Sequence, residues 1–504
     1  MPESRRNLAR LAEDAVERRG DYEALVFEGG SLRSSELWER TARVASGLEQ
    51  VGLRPGERAV VLLPNSPDVQ VVYGALWRAG AVVTPAIFLL PPDELRRILL
   101  DAEASLVVTS PEFLSSAKAA AADVPGVRTI VSTGSAEEGV VPLAELASAA
   151  PGTIVARADS DLAALLYTGG TTGRSKGVML THANLWFAGK AGYEAGHVPG
   201  VTRGLMALPL SHAYGLLVTV TGLHSVERPV TVLMRWFDAP SFLELVQEHR
   251  VETSALVPSM LQALLSLPLE EHDLSSLRSL VCGAAPLSRE VLDELGRRLP
   301  HVELREGYGL TETSGLVSSN RPGRVKPGSV GLPVPGAEVR IVDDAGRELP
   351  AGDVGEILCR SGFVMAGYWR SPELTAETVR AGWLRTGDLG YLDEEGFLYV
   401  VDRRKDLIVR DGFNVFPGDV EDALLEHAAV AAAGVVGRPD DRHGEEVVAV
   451  VALRAGAEAS ADELVSFAKT RLGAHRYPRE VRLVRSLPLT PVGKVDRKLL
   501  RAEL

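Results

Sequence analysis

A chain of 504 residues exceeds what one hydrophobic core organises, so two or more domains are expected. Hydrophobic residues make up 45% and charged residues 24%, an ordinary globular composition, and a formal net charge of −13 without a long basic run argues against nucleic-acid binding and against docking on anionic lipid. The two cysteines, Cys282 and Cys359, stand in unrelated contexts, which excludes a disulfide framework and a cysteine zinc site and points to a reducing, cytoplasmic setting.

The opening "MPESRRNLARLAEDAVERRG" alternates apolar and charged residues at helical spacing and lacks the apolar core of a signal peptide. Residues 59–63, "AVVLL", read as a strand, and "NSPDVQVVYGALWRAGA" as a helix capped by Asn65 or Ser66. Then "VVTPA" reads as a strand, "PPDELRRILLDAEA" as a helix opened by proline and "SLVVTS" as a strand; such alternation implies a parallel sheet covered by helices. The pattern recurs over 242–300, with "ETSALV" and "SLRSLVCG" as strands between helical segments. The most apolar stretch, "GLLVTVTGL", is far shorter than the roughly 18 to 20 residues of a membrane span. From 328 the texture becomes glycine-rich, with short strands and turns such as "DDAG" and a hairpin about Glu395-Gly396. Beyond 406 the remainder reads as a compact α+β unit.

Five stretches carry chemistry. In "YTGGTTGRSKG" a buried strand feeds a glycine-rich loop whose backbone N–H groups can converge on an anion; Thr168, Thr171 and Thr172 add hydroxyls and Lys176 a positive charge. That suits a polyphosphate, although the spacing is not that of a Walker loop, and a surface hairpin is the bland alternative. In "EGYGLTET" Tyr308 lies between Gly307 and Gly309 and offers a flat face for a purine; Thr311 and Glu312 supply hard oxygen ligands of the kind Mg²⁺ takes. The alternative there is a tight turn with a capping threonine. Asp388 in "RTGDLGYLD" can accept from a ribose diol, and "DRRKD" brings Arg403 and Lys405, though a solvated hairpin end is the default reading of such a charge run. Lys494 follows a glycine in "LPLTPVGKVDRKLL".

Together these stretches resemble the adenylate-forming superfamily, which includes acyl-CoA synthetases, adenylation domains of peptide synthetases and luciferases. The likeness spans most of the chain, with two departures: Gly169 and Ser175 stand where the commoner loop has serine and proline. The resemblance implies an α/β fold: a large N-terminal domain of layered α/β subdomains plus a small β-rich subdomain (1–402), a hinge (403–405) and a small mobile α+β C-terminal domain (406–504). It implies an ATP-dependent acid–CoA ligase that forms an acyl-adenylate and pyrophosphate, then a thioester and AMP, with Mg²⁺ as cofactor and ATP and coenzyme A as co-substrates. Thr168, Gly169, Gly170, Thr171, Thr172, Gly173 and Lys176 would wrap the β- and γ-phosphates; Gly283, Ala284, Ala285, Tyr308 and Gly309 would hold the adenine; Asp388 and Arg403 would bind the ribose. Thr311 would contact the α-phosphate, Thr168 and Glu312 would hold the metal, and Lys494 would bridge the carboxylate and the α-phosphate. His212 would stand at the thiol tunnel, Lys405 at the hinge, and Gly412 with Phe413 beside coenzyme A. The acyl pocket, including Tyr214, Gly215, Cys282 and Gly307, is small or apolar and lacks a charge for an amino group, which disfavours an amino-acid substrate. A medium- or long-chain fatty acid is the first expectation and a benzoate- or cinnamate-type acid the second; a luciferase-like oxidase and a non-catalytic nucleotide-binding relative stay open. Expected partners are small molecules, with no nucleic acid and no transmembrane segment, and a homodimer is left open.

Overall fold

The computed structural model describes residues 6–88, 90–134, 136–168, 175–411, 413–440, 442–472, 476–490 and 495–504. Two large sheets dominate it. One has eight strands in the spatial order Gly367–Tyr368, Lys176–Thr181, Leu162–Thr168, Val82–Pro85, Arg58–Leu62, Ala104–Thr109, Thr129–Ser132, Val141–Pro142. The other has nine; from Glu303–Tyr308 through Ser279–Gly283, Thr253–Leu256, Arg203–Met206 and Val230–Leu233 to Glu23–Phe27 its neighbours run parallel.

Side-chain alternation along the strands places the layers. Ala59 and Val61 enter one core while Val60 and Leu62 enter another; Met206 and Leu233 likewise part from Leu205 and Val232. The shared core lies between the sheets, where the helices Leu8–Arg19, Ser34–Gln50, Pro67–Arg78, His182–Gly196 and Ala213–His224 contribute their apolar residues. Pro92–Asp101 and Leu114–Ala121 cover the outer face of the eight-stranded sheet; Ala239–His249, Pro258–Leu265 and Arg289–Arg298 cover that of the nine-stranded one. Five layers result, helix–sheet–helix–sheet–helix, as strand–helix alternation requires.

The predicted elements over 58–109 and 239–298 are present. Of the two cap candidates, Ser66 is the N-cap residue of the helix Pro67–Arg78, without a side-chain cap bond, and Asn65 spans three backbone groups, donating to the carbonyls of Leu208 and Met234 and accepting from Leu210 N. Beyond the large sheets, Ala337–Val342, Gly355–Ser361, Val379–Arg380, Trp383–Leu392 and Leu398–Arg403 form the glycine-rich antiparallel module, whose last hairpin turns at 393–397. The C-terminal part is a sheet built on Val430–Asp440 and Gly444–Leu453, packed by Pro417–Leu425 and Ala461–Leu472. Large N-terminal α/β layers with a small α+β C-terminal unit are thus the observed architecture. No helix among the described residues is long and apolar enough to cross a membrane.

Candidate active site

Parallel strands end at a common edge, and ligands in such sheets bind beyond their carboxyl ends. Here that edge carries 283–285 after Ser279–Gly283, Tyr308 to Glu312 after Glu303–Tyr308, and His212 and Tyr214 after Arg203–Met206. Ala284 has φ +71, left-handed for a non-glycine residue, so the chain turns sharply out of its strand.

Two lines of contacts converge on the loop after Glu303–Tyr308. Tyr308 donates its hydroxyl to Asp388 Oδ2 at 2.7 Å, and Arg403 Nε stands 3.4 Å from Asp388 Oδ1. Asp388 and Arg403 face each other in the antiparallel register, beside Gly387 at φ +72, and Asp388 is buried. Burial and the neighbouring carboxylate push the Tyr308 phenol well up, so it remains a donor at neutral pH. On the second line, Glu312 Oε1 accepts from the Tyr368 hydroxyl at 2.8 Å, and the Lys176 ammonium stands 5.4 Å over the Tyr368 ring. Lys176 and Thr168 are register partners in the hairpin Leu162–Thr168/Lys176–Thr181, whose second strand the sequence reading passed over. The structure therefore brings Tyr308, Asp388 and Arg403 together, and Glu312 with Lys176 through Tyr368. Gly169, Gly170, Thr171, Thr172, Gly173, Gly412 and Lys494 lie outside the described residues.

A third set gathers on the face toward the central helices. His212 precedes the helix Ala213–His224, and its Nδ1 accepts from Tyr214 N at 3.2 Å. Tyr214 donates its hydroxyl to Val281 O at 3.2 Å. A Cβ on Gly283 would stand 3.0 Å from Gly307 O and 3.7 Å from Tyr214 Cε1, so Tyr214, Gly283 and Gly307 are neighbours. A Cβ on Gly215 would fall 2.2 Å from Pro209 O, and one on Gly309 2.3 Å from Gly315 O; both positions exclude larger residues. Cys282 is buried, which pushes its thiol up to about 12 and keeps it protonated. Thr311 opens the short turn Thr311–Thr313, and Ala285 follows Ala284 at the strand end. Lys405 and Arg404 form the tip of a turn closed by Asp406 N donating to Arg403 O at 2.9 Å; Phe413, 52% exposed, lies on the short strand Phe413–Val415.

Among the described residues no three or more His, Cys, Asp or Glu side chains cluster to hold a metal alone. Glu312 and the Thr168 hydroxyl are hard oxygen donors and few, which fits Mg²⁺, an ion that keeps waters and takes further ligands from phosphates.

Two residues of the site were not singled out in the sequence. Tyr368 sits in "MAGYWR", where nothing local marks it as a partner of Glu312. Glu306, 8% exposed, pairs in register with Cys282 and accepts from Gly328 N at 3.3 Å; burial pushes its carboxyl up to about 7. Because the folded value lies above the unfolded one near 4.5, Glu306 favours the folded state below about pH 4.5 and that favour is lost as pH rises toward 7. Glu306→Gln, which cannot ionise, is therefore expected to gain about 2 to 3 kcal/mol relative to wild type at pH 8 compared with pH 5. Thermal unfolding of both proteins at the two pH values measures this; equal shifts at both would remove the assigned burial penalty.

Comparison with known proteins follows the same outline. Residues 12–369 match the family profile described as AMP-binding enzyme, and 419–494 match that described as AMP-binding enzyme C-terminal domain. A 4-coumarate–CoA ligase-like protein of Oryza sativa subsp. japonica is 38% identical over 97% of this chain and 91% of its own. A long-chain-fatty-acid–CoA ligase of Bacillus subtilis is 33% identical over 100% and 95%. The crystal structure of ATP-bound MatB from Rhodopseudomonas palustris superposes with a TM-score of 0.90 at 33% identity, covering 98% of each chain.

Proposed function

The chain belongs to the adenylate-forming superfamily of AMP-binding enzymes and is an AMP-forming acid–CoA ligase, and on that premise we propose that it activates a medium- or long-chain fatty acid. The observation that carries the assignment of the site is the joining of Tyr308 to Asp388 and Arg403 on one side of the loop and of Glu312 to Tyr368 and Lys176 on the other. Adenine stacks on Tyr308 against the backbone of Gly283, Ala284 and Ala285; the ribose diol donates to Asp388, with Arg403 beside it. The segment 168–176 takes the outer phosphates, with Lys176 at its end. Thr311 contacts the α-phosphate. Mg²⁺, held by Glu312 and Thr168 when bound, spreads charge on the polyphosphate. The acid's carboxylate attacks the α-phosphate and pyrophosphate leaves; Lys494 stabilises the charge developing between them. The thiol of coenzyme A, approaching past His212, then displaces AMP. A C-terminal domain of residues 406–504 turns about Lys405 between the steps and brings Gly412 and Phe413 to the thiol.

The acid is assigned from the pocket wall. His212, Tyr214, Gly215, Cys282, Gly283 and Gly307 offer no fixed charge, so an apolar tail is favoured over an amino acid. One observation favours the second reading, an aryl acid: the Tyr214 ring beside Gly283 is a flat face on which an aromatic acid can lie. Because Ala284 is left-handed, a bulky residue there would strain the backbone, and pocket depth is better probed with acids than by filling position 284.

The test is kcat/KM for thioester formation from straight-chain acids of graded length, benzoates and cinnamates. Each buried methylene is worth about 0.8 kcal/mol, so specificity is expected to climb about fourfold per carbon and then break at the tunnel's end. A flat profile beside strong activity on a cinnamate would transfer the assignment to the aryl acid.

A further inference from the structure

The two strands that flank residues 169–174 are tied to one helix. Tyr167, in the strand Leu162–Thr168, donates its hydroxyl to Asp101 Oδ2 at 2.6 Å. Ser175, immediately before Lys176–Thr181, donates its hydroxyl to Glu94 Oε1 at 2.8 Å. Glu94 and Asp101 both belong to the helix Pro92–Asp101, about two turns apart and hence on one face. That helix is a firm base: Leu95, Ile98 and Leu99 are buried in the outer core. Its end also accepts from Trp369, whose Nε1 donates to the Asp101 carbonyl at 2.9 Å, next to the Tyr368 that engages Glu312. One helix thus holds both stems of the glycine-rich segment and the neighbour of the Glu312 partner.

We propose that Glu94 and Asp101 are positioning residues for the nucleotide step, acting through Ser175 and Tyr167 to fix the two ends of the segment that takes the polyphosphate. The proposal rests on the ligase reading above. It is particular to this chain in one respect: proline, which the commoner loop carries at 175, has no hydroxyl to give to Glu94. With stems fixed in advance, ATP does not have to order them on binding, so the expected effect falls on ATP affinity and not on the chemical step.

Two measurements decide it. The first needs no turnover: limited trypsin cleavage after Arg174 and Lys176 of the folded protein without substrates. Ser175→Ala with Tyr167→Phe is expected to speed nicking about five- to tenfold, the scale of losing two hydrogen bonds that stand partly in water and so lie at the low end of their usual worth. The second is acid-dependent ATP–pyrophosphate exchange. Glu94→Ala is expected to raise KM for ATP about tenfold with kcat within about twofold, and Glu94→Gln, which keeps an acceptor, to bring KM back near wild type. Thioester formation from a supplied acyl-adenylate should not change. Unaltered nicking together with unaltered KM overturns the proposal, as does an equal fall in both half-reactions, which would mark a merely structural role. If the wild type shows no exchange with any acid, the ligase reading fails, while the nicking rates still decide whether the helix holds the stems.

Discussion

Lys494→Ala is expected to lose about a hundred- to thousandfold in acid-dependent ATP–pyrophosphate exchange, the usual cost of removing a charge-stabilising donor at a reacting phosphate. The same variant should still turn a supplied acyl-adenylate and coenzyme A into thioester, because the α-phosphate has by then been attacked. The residues that follow it in the chain are well anchored. Arg497, at the start of the helix Arg497–Ala502, pairs with Glu421 at 2.7 Å and lies 3.7 Å from Asp402 and 3.8 Å from Asp406. Truncating a lysine that precedes such an anchor in the chain should leave the fold intact. A parallel loss of both half-reactions would point to misfolding and remove the proposed role.

Asp388→Ala carries the second large effect. Its carboxylate is buried, accepts from Tyr308 and faces Arg403; removal leaves that phenol and that guanidinium without their shared acceptor, and on the proposed reading it leaves the ribose diol without one as well. Hydrogen bonds to charged groups are worth about 1.5 to 3 kcal/mol each, so kcat/KM for ATP should fall about a hundredfold or more. A double-mutant cycle with Tyr308→Phe should show the two losses to be strongly non-additive. A change below about threefold in Asp388→Ala would dismiss the ribose assignment.

How much of this was readable beforehand depends on the range over which a signal acts. The strands at 58–62 and 104–109 and the helices between them declare themselves through local period and proline or glycine punctuation, and they are where the residues say. The motifs that gather at the sheet edge were also legible, since each is a short run of unusual composition. What escaped depends on partners distant in the chain. Asn65 looks like a cap and serves instead as a clamp across two loops more than a hundred residues away. Tyr368 has no local mark, because its meaning lies in Glu312. The left-handed turn at Ala284 is invisible where alanine stands in place of the glycine that would announce it.

The two large sheets are interleaved along the chain, and this sets a timetable for synthesis. The nine-stranded sheet takes the hairpin of Glu23–Phe27 and Gly30–Arg33 and then nothing until Arg203–Met206, while the eight-stranded sheet is built in between and receives its edge strand Gly367–Tyr368 only later. At about 5 to 20 residues per second, the first strand emerges from the ribosome about 10 to 40 seconds before its parallel partner Val230–Leu233 exists. Through that interval Leu25 and Val26, both interior at the end, have only the neighbouring strand Gly30–Arg33 to pair with, and a lone hairpin is marginal in water, which makes the nascent chain a natural client for chaperones. The same interleaving means that no single cut can divide the molecule into one sheet and the other. A fragment ending near residue 200 would keep an orphaned hairpin of the second sheet and lack the edge strand of the first.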